Sequence, residues 1–170
     1  HHNGRAVTEI CLGALKTRSV AIALLMLVSP AFARIGETGQ QIEARYGKAT
    51  DTLSKGNEPL QKLYRSSGLD IGVTYIDGVS QIESFRKEDR SALSKNEIAL
   101  LLEANAAGRK WIEDPIASVL ADLQVWKLES GGRKAVYKKS QGGLVILTDR
   151  ADKVSAQRKS EAEKEKVKGF

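Results

Sequence analysis

Thiol and imidazole are nearly absent from this sequence of 170 residues: the single cysteine is Cys11, the two histidines are His1 and His2, and residues 12–170 contain neither. Over that stretch no disulfide framework can form, so the fold must be held by burial alone. Cys-His and Ser-His machinery is equally excluded, as is a zinc site built on His or Cys. Aromatic residues are scarce, at 5%. Long apolar runs are missing too. The longest, 20–28, falls well short of the ~20 residues a helix needs to cross the hydrocarbon of a membrane.

That short run is nonetheless informative. Lys16 and Arg18 flank it on one side, and on the other Pro30 ends it before the small-x-small triplet Ala31-Phe32-Ala33. This is the layout of a secretory signal, with Ala31 and Ala33 marking a cut after Ala33. It predicts that residues 34–170 are exported, to the periplasm or the extracellular space, with no stable membrane insertion once the signal is removed. Lipoprotein signals place a cysteine at the cut, whereas Cys11 lies ahead of the apolar run. The chain opens His1-His2-Asn3-Gly4, and its one methionine, Met26, sits inside that run. A start at Leu12, from a non-standard codon, would give a signal of ordinary length over 12–33.

The formal net charge of +6 is unevenly spread. Residues 34–149 are within one charge of neutral, and the excess lies ahead of residue 34 and in 150–170. A near-neutral body does not suit a phosphate backbone, so no nucleic-acid partner is expected. From Ala151 the sequence becomes rich in Glu, Lys and Ala without an apolar stripe. Such a tail forms either an exposed helix or a disordered extension, outside the core.

Between signal and tail the pattern is regular. Thr38-Gly39-Gln40-Gln41 has capping-box form, Ile42 and Tyr46 follow one turn apart, and Gly47 supplies a stop, which predicts a short helix. Strand-like segments over 60–65, 71–76 and 79–85 come next. Asp77-Gly78 between the last two suits a two-residue turn that pairs Val73 with Ile82, beside Tyr75 and Ile71. Ser94-Lys95-Asn96-Glu97 is a second capping box, with Ile98, Leu101, Leu102 and Ala106 at helical spacing before Gly108. A short helical turn over 116–123 and strands over 124–129, 133–139 and 144–149 follow. A tight turn at Gly131-Gly132 would pair Leu128 with Ala135 and Trp126 with Tyr137.

Helix then hairpins therefore occurs twice, in candidate halves 34–90 and 91–149, the second reading as a diverged copy of the first. The expected fold class is α+β, with helices packed on one face of antiparallel hairpin sheets. Ile35-Gly36-x-Thr38-x-x-Gln41-Ile42 followed by Tyr46-Gly47-Lys48-Ala49 resembles the opening of small bacterial envelope proteins with the SmpA/OmlA outer-membrane-assembly fold, related in shape to β-lactamase inhibitor proteins. The resemblance spans about 35–85 and implies a helix followed by a hairpin sheet. More broadly, the chain is similar to small exported bacterial proteins of unassigned function.

Catalytic motifs are few. Glu88-Asp89 and Glu113-Asp114 are adjacent acids in polar segments, of the kind that usually face solvent. Asp70, Asp77 and Glu83 lack the spacing of a calcium loop. Gly131-Gly132 and Gly142-Gly143 do not open helices and so cradle no phosphate. No cofactor or metal ligand set is expected. Tyr75, Trp111, Trp126 and Tyr137 form the candidate binding face, because Trp and Tyr dominate interface energetics; packing in the core is the competing role. The leading expectation is a non-enzymatic exported module that binds an envelope protein or other envelope component through its sheet face, with the tail as a tether. The alternatives are a carboxylate-based hydrolase of envelope glycans and a structural periplasmic protein with no tight partner. No motif specifies an oligomeric state.

Overall fold

A computed structural model of the chain describes residues 35–53, 56, 58–119 and 122–167. The predicted signal, with Ala31 and Ala33 at its cut, lies outside the described residues. Both capping boxes form. Thr38 opens helix α1 (Gly39–Tyr46) by accepting from the Gln41 amide while Gln41 Oε1 accepts from the Thr38 amide. Ser94 and Glu97 repeat the exchange at the head of α2 (Lys95–Ala104). Each pair satisfies two amides that a helix would otherwise leave orphaned.

Four antiparallel strands follow each helix: β1 (Asp51–Leu53), β2 (Leu60–Ser66), β3 (Leu69–Ile76) and β4 (Val79–Lys87), then β5 (Trp111–Glu113), β6 (Leu123–Leu128), β7 (Arg133–Lys138) and β8 (Gly143–Thr148). They join in one sheet in the order β1-β2-β3-β4-β8-β7-β6-β5. The halves meet through their last strands, so the order reads alike from either edge. α1 and α2 lie on the same face, where Ile42, Tyr46, Ile98, Leu101 and Leu102 share one core with Ile71, Val73, Phe85, Leu144 and Ile146 of the strands. The fold is α+β, as expected. The halves are also pinned across the core: Arg133 donates to the carbonyls of Asn105 (2.6 Å) and Ile35 (3.0 Å), and Asn105 Oδ1 accepts from the Ile35 amide at 3.0 Å.

Two registers differ from expectation, with opposite consequences. Asp77 and Gly78 take positive φ, 52° and 80°, as the turn requires. Ile76 then pairs with Val79 and Tyr75 with Ser80, but Thr74 pairs with Ile82, leaving Gln81 as the extra residue of a β-bulge. Val73 therefore faces Glu83 and not Ile82. Side chains alternate with period two, so this one-residue shift exchanges faces: Glu83 turns toward the helices and Ile82 away from them. The β6–β7 loop, by contrast, is four residues long. Trp126 faces Ala135 and Gln124 faces Tyr137, a two-residue displacement that leaves each side chain on its expected side.

The bulge has a tertiary cause. Ser80 is gripped by the segment ahead of α1: its carbonyl and hydroxyl accept from the Gly36 amide, its hydroxyl also accepts from the Glu37 amide, and its own amide donates to the Glu37 carbonyl. After β8 the chain continues as α3 (Asp149–Val167), exposed along most of its length. One part of the tail departs from expectation. Ala151 is fully buried and its amide donates to the Thr148 hydroxyl, so the first turn of α3 belongs to the core. No helix among the described residues is long and apolar enough to cross a membrane.

Candidate functional site

The four aromatics of the expected binding face all project to the helix-covered side. Tyr75 and Tyr137 are buried, their hydroxyls bonded to the Tyr64 hydroxyl (2.8 Å) and the Leu93 carbonyl (3.4 Å). Trp111 donates its indole N–H to the Leu102 carbonyl at 2.6 Å, and both Trp111 and Trp126 pack half-buried against the core. The expectation is corrected accordingly: the helices lie over this side, and these residues hold the helical layer down.

Beneath the same layer sits Glu83. It is fully buried, and neither carboxyl oxygen has a hydrogen-bond partner among the described residues. Burial pushes its carboxyl up to about 7, with the charge of Glu37 adding to the shift; the Ser80 hydroxyl, near but outside hydrogen-bond geometry, and the charges of Arg45 and Arg133 pull the other way. Glu37 is itself engaged by an ion pair with Arg45. The Tyr46 hydroxyl is likewise buried and unpartnered, and it is raised above the usual phenol range first by burial and then by Glu83. A carboxyl poised near neutrality suits general acid–base work, but Glu83 is sealed from solvent. Its shift is a cost of the bulge that turned it inward.

The other face of the sheet is uncovered over its centre and forms a groove of about 630 Å³. The ladder builds its floor one residue per strand: Leu63 pairs with Gly72, Gly72 with Ser84, Ser84 with Val145, and Val145 with Val136. At ~4.8 Å between strands this row runs about 19 Å across five strands. Small residues sit in its middle. A Cβ on Gly72 would meet Ser84 Oγ at 2.6 Å, so glycine is what keeps the floor low there. Val145, in the central strand, is 36% exposed.

A second row, two residues along, carries charge. Arg65 pairs with Asp70 and Asp70 with Arg86; on the far side Gly143 pairs with Lys138. Arg65 and Arg90 are both committed to Asp70, at 3.0 and 3.2 Å. Lys127 and Lys134, further along this face, are held by Asp114 (2.7 Å) and Asp152 (2.9 Å). Arg86 and Lys138 differ. Arg86 spends two donors on the Gln141 carbonyl, leaving three of its five N–H groups. Among the described residues no carboxylate touches it. Lys138 senses Asp122 through space without a direct ion pair among the described residues. The two cations stand on either side of Gly143, which has no side chain to separate them.

Acid–base pairs are not presented along this groove. Asp70 is the one carboxylate among its lining residues, whereas glycoside hydrolysis needs two, ~5–9.5 Å apart. Asp89 and Asp114 are occupied locally, accepting from the Ser91 amide and from the Ile116 and Ala117 amides. Ser84-Phe85-Arg86-Lys87 has a nucleophile–lysine spacing, yet on a strand Ser84 and Lys87 face opposite sides, and Lys87 pairs with Glu97 of α2. No protein-family model, curated protein or solved structure matches this chain.

Proposed function

We propose that this chain is a non-enzymatic binding module of the bacterial envelope that docks an envelope protein or other envelope component on the uncovered face of its sheet. The observation that carries this reading is the largely apolar row from Leu63 to Val136, which no element covers at its centre although the opposite face is sealed by two helices. An exposed apolar strip rimmed by polar residues is the common mark of an interaction surface. The signal-like segment 16–33 and the resemblance of 35–49 to envelope proteins support the setting. The α3 helix, charged and mostly exposed, serves as a tether.

Site-specific photocrosslinking tests the face. A photoreactive residue at Val145 is expected to yield a discrete adduct in cells, read by gel shift and intact mass, while the same residue at Leu100 on α2, which is 46% exposed, yields none. Equal labelling at both positions, or none at either, would refute the docking surface.

A further inference from the structure

We propose that the groove on the open face takes a single-chain amphiphile with an anionic head, of the fatty carboxylate class. Its hydrocarbon lies along Leu63, Gly72, Val145 and Val136, and its head group lies between Arg86 and Lys138 over Gly143. This rests on the open face being the docking surface, and it names the chemistry that surface selects.

Three features of the groove converge on that class. Its volume, about 630 Å³, falls in the range of small-molecule sites, which are mostly apolar with a few placed polar groups. The charge is complementary to an anion and localised: Arg65 and Arg90 are paired with Asp70, so among the described residues Arg86 and Lys138 are the cations lining the groove without a direct carboxylate contact, Lys138 sensing Asp122 only at a distance. These project from β4 and β7, with only β8 between them, a Cα separation of about 10 Å by strand spacing. Two long cationic side chains can close on one carboxylate across that gap because Gly143 puts no side chain between them, although the Gln141 carbonyl, which Arg86 already bonds, borders the same spot. A Cβ at Gly143 would also crowd the Phe85 carbonyl at 3.3 Å.

A polypeptide is the poorer fit for the same floor. The row lies mid-sheet, where the backbone amides and carbonyls of β3, β4, β8 and β7 are already engaged in their ladders. A bound chain would find no main-chain partners there, and its own peptide groups would lie on Val145 and Val136 unsatisfied. A hydrocarbon has no such requirement.

Calorimetric titration of the purified protein with dodecanoate, kept below its micelle concentration, tests the assignment. Saturable one-to-one binding is expected, with dodecyltrimethylammonium, equal in chain length and opposite in charge, at least about tenfold weaker. The double variant R86Q/K138Q should weaken dodecanoate by about tenfold or more, and V136E should abolish binding; both variants must retain the parent's circular dichroism and melting temperature. Because V136E also alters the floor, R86Q/K138Q with its intact floor is the deciding variant. Equal affinity for the two detergents, an unchanged affinity in R86Q/K138Q, binding only to anionic phospholipid vesicles, or a dimer whose dissociation by V145E accounts for the face would each overturn the proposal. If dodecanoate fails while the Val145 photoprobe still captures a macromolecule, the ligand class is wrong and the docking surface stands. If both fail, the surface itself is wrong.

Discussion

The two faces of the sheet each invert what burial normally sorts. The covered face encloses an unpartnered carboxyl, Glu83, and an unpartnered phenol, Tyr46, while the open face displays Val145 and a row of aliphatic side chains. Part of this exchange has a local origin. The extra residue at Gln81 sends Glu83 inward and Ile82 outward in a single step of β4. A one-residue irregularity thus makes both the electrostatic strain of one face and part of the apolar surface of the other, and a polar group is tolerated inside because the segment gripping Ser80 dictates the register.

Adjacent residues of β8 offer the sharpest way to break this contrast. Ile146 is fully buried under the helices and Val145 faces outward. Ile146→Glu should cost about 4 kcal/mol or more, enough to unfold a domain of ordinary stability, because it buries an uncompensated charge. Val145→Glu should cost about 1 kcal/mol or less. Urea denaturation of the two variants checks the assignment of faces, and comparable losses would contradict it.

Glu83 sharpens the contrast through pH. Its folded-state value of about 7 lies above the ordinary 4.5, so between those values the folded chain holds a proton that the unfolded chain has released. Stability contributed by the protonated group is complete below about 4.5, falls as pH rises toward 7, and levels off above it. The loss is about 3 kcal/mol, at about 1.4 kcal/mol per pKa unit. Glu83→Gln should flatten that window in a series of denaturation curves. An unchanged slope in the variant would assign the effect elsewhere.

The smallest expected effect concerns what holds the helical layer to its face. Gly142 has φ 62°, its carbonyl accepts from the Leu93 amide, and a Cβ on it would meet the Ala92 backbone at 2.7 Å. Gly142→Ala should therefore cost about 2–3 kcal/mol, from the positive φ and the collision together. Gly131 has φ 74°, and a Cβ there would meet nothing within 4 Å. Gly131→Ala should accordingly cost only about 1 kcal/mol. Equal melting temperatures for the two variants would remove the collision from the explanation.

What can be read from the chain alone is whatever is encoded within a few neighbouring residues. The two capping boxes, the Asp77-Gly78 turn and the helix-then-hairpins order are of this kind, and all are present. The Ser67-Gly68 turn, with φ of 52° and 76°, carries the same local chemistry, a signal that the strand-like segments on either side of it obscure. The bulge at Gln81 is not legible, because its cause is a contact between Ser80 and residues more than forty positions earlier. Nor is the groove. Its floor takes one residue from each of five strands, so only the completed ladder lines them up, and the run Leu144-Val145-Ile146-Leu147 has no alternation to say which residues face outward. The aromatics mislead for a related reason: large side chains fill a modest interior as readily as they make a surface.

The outermost strands, β1 and β5, are three residues each. Strand margins that brief offer an incoming chain too few free amides and carbonyls to add itself to the sheet, which is how many β proteins avoid polymerising through their rims. Lateral growth into fibrils is therefore a poor route for this molecule, and a docking partner of the kind proposed above would meet the broad flat of the sheet instead of its rim.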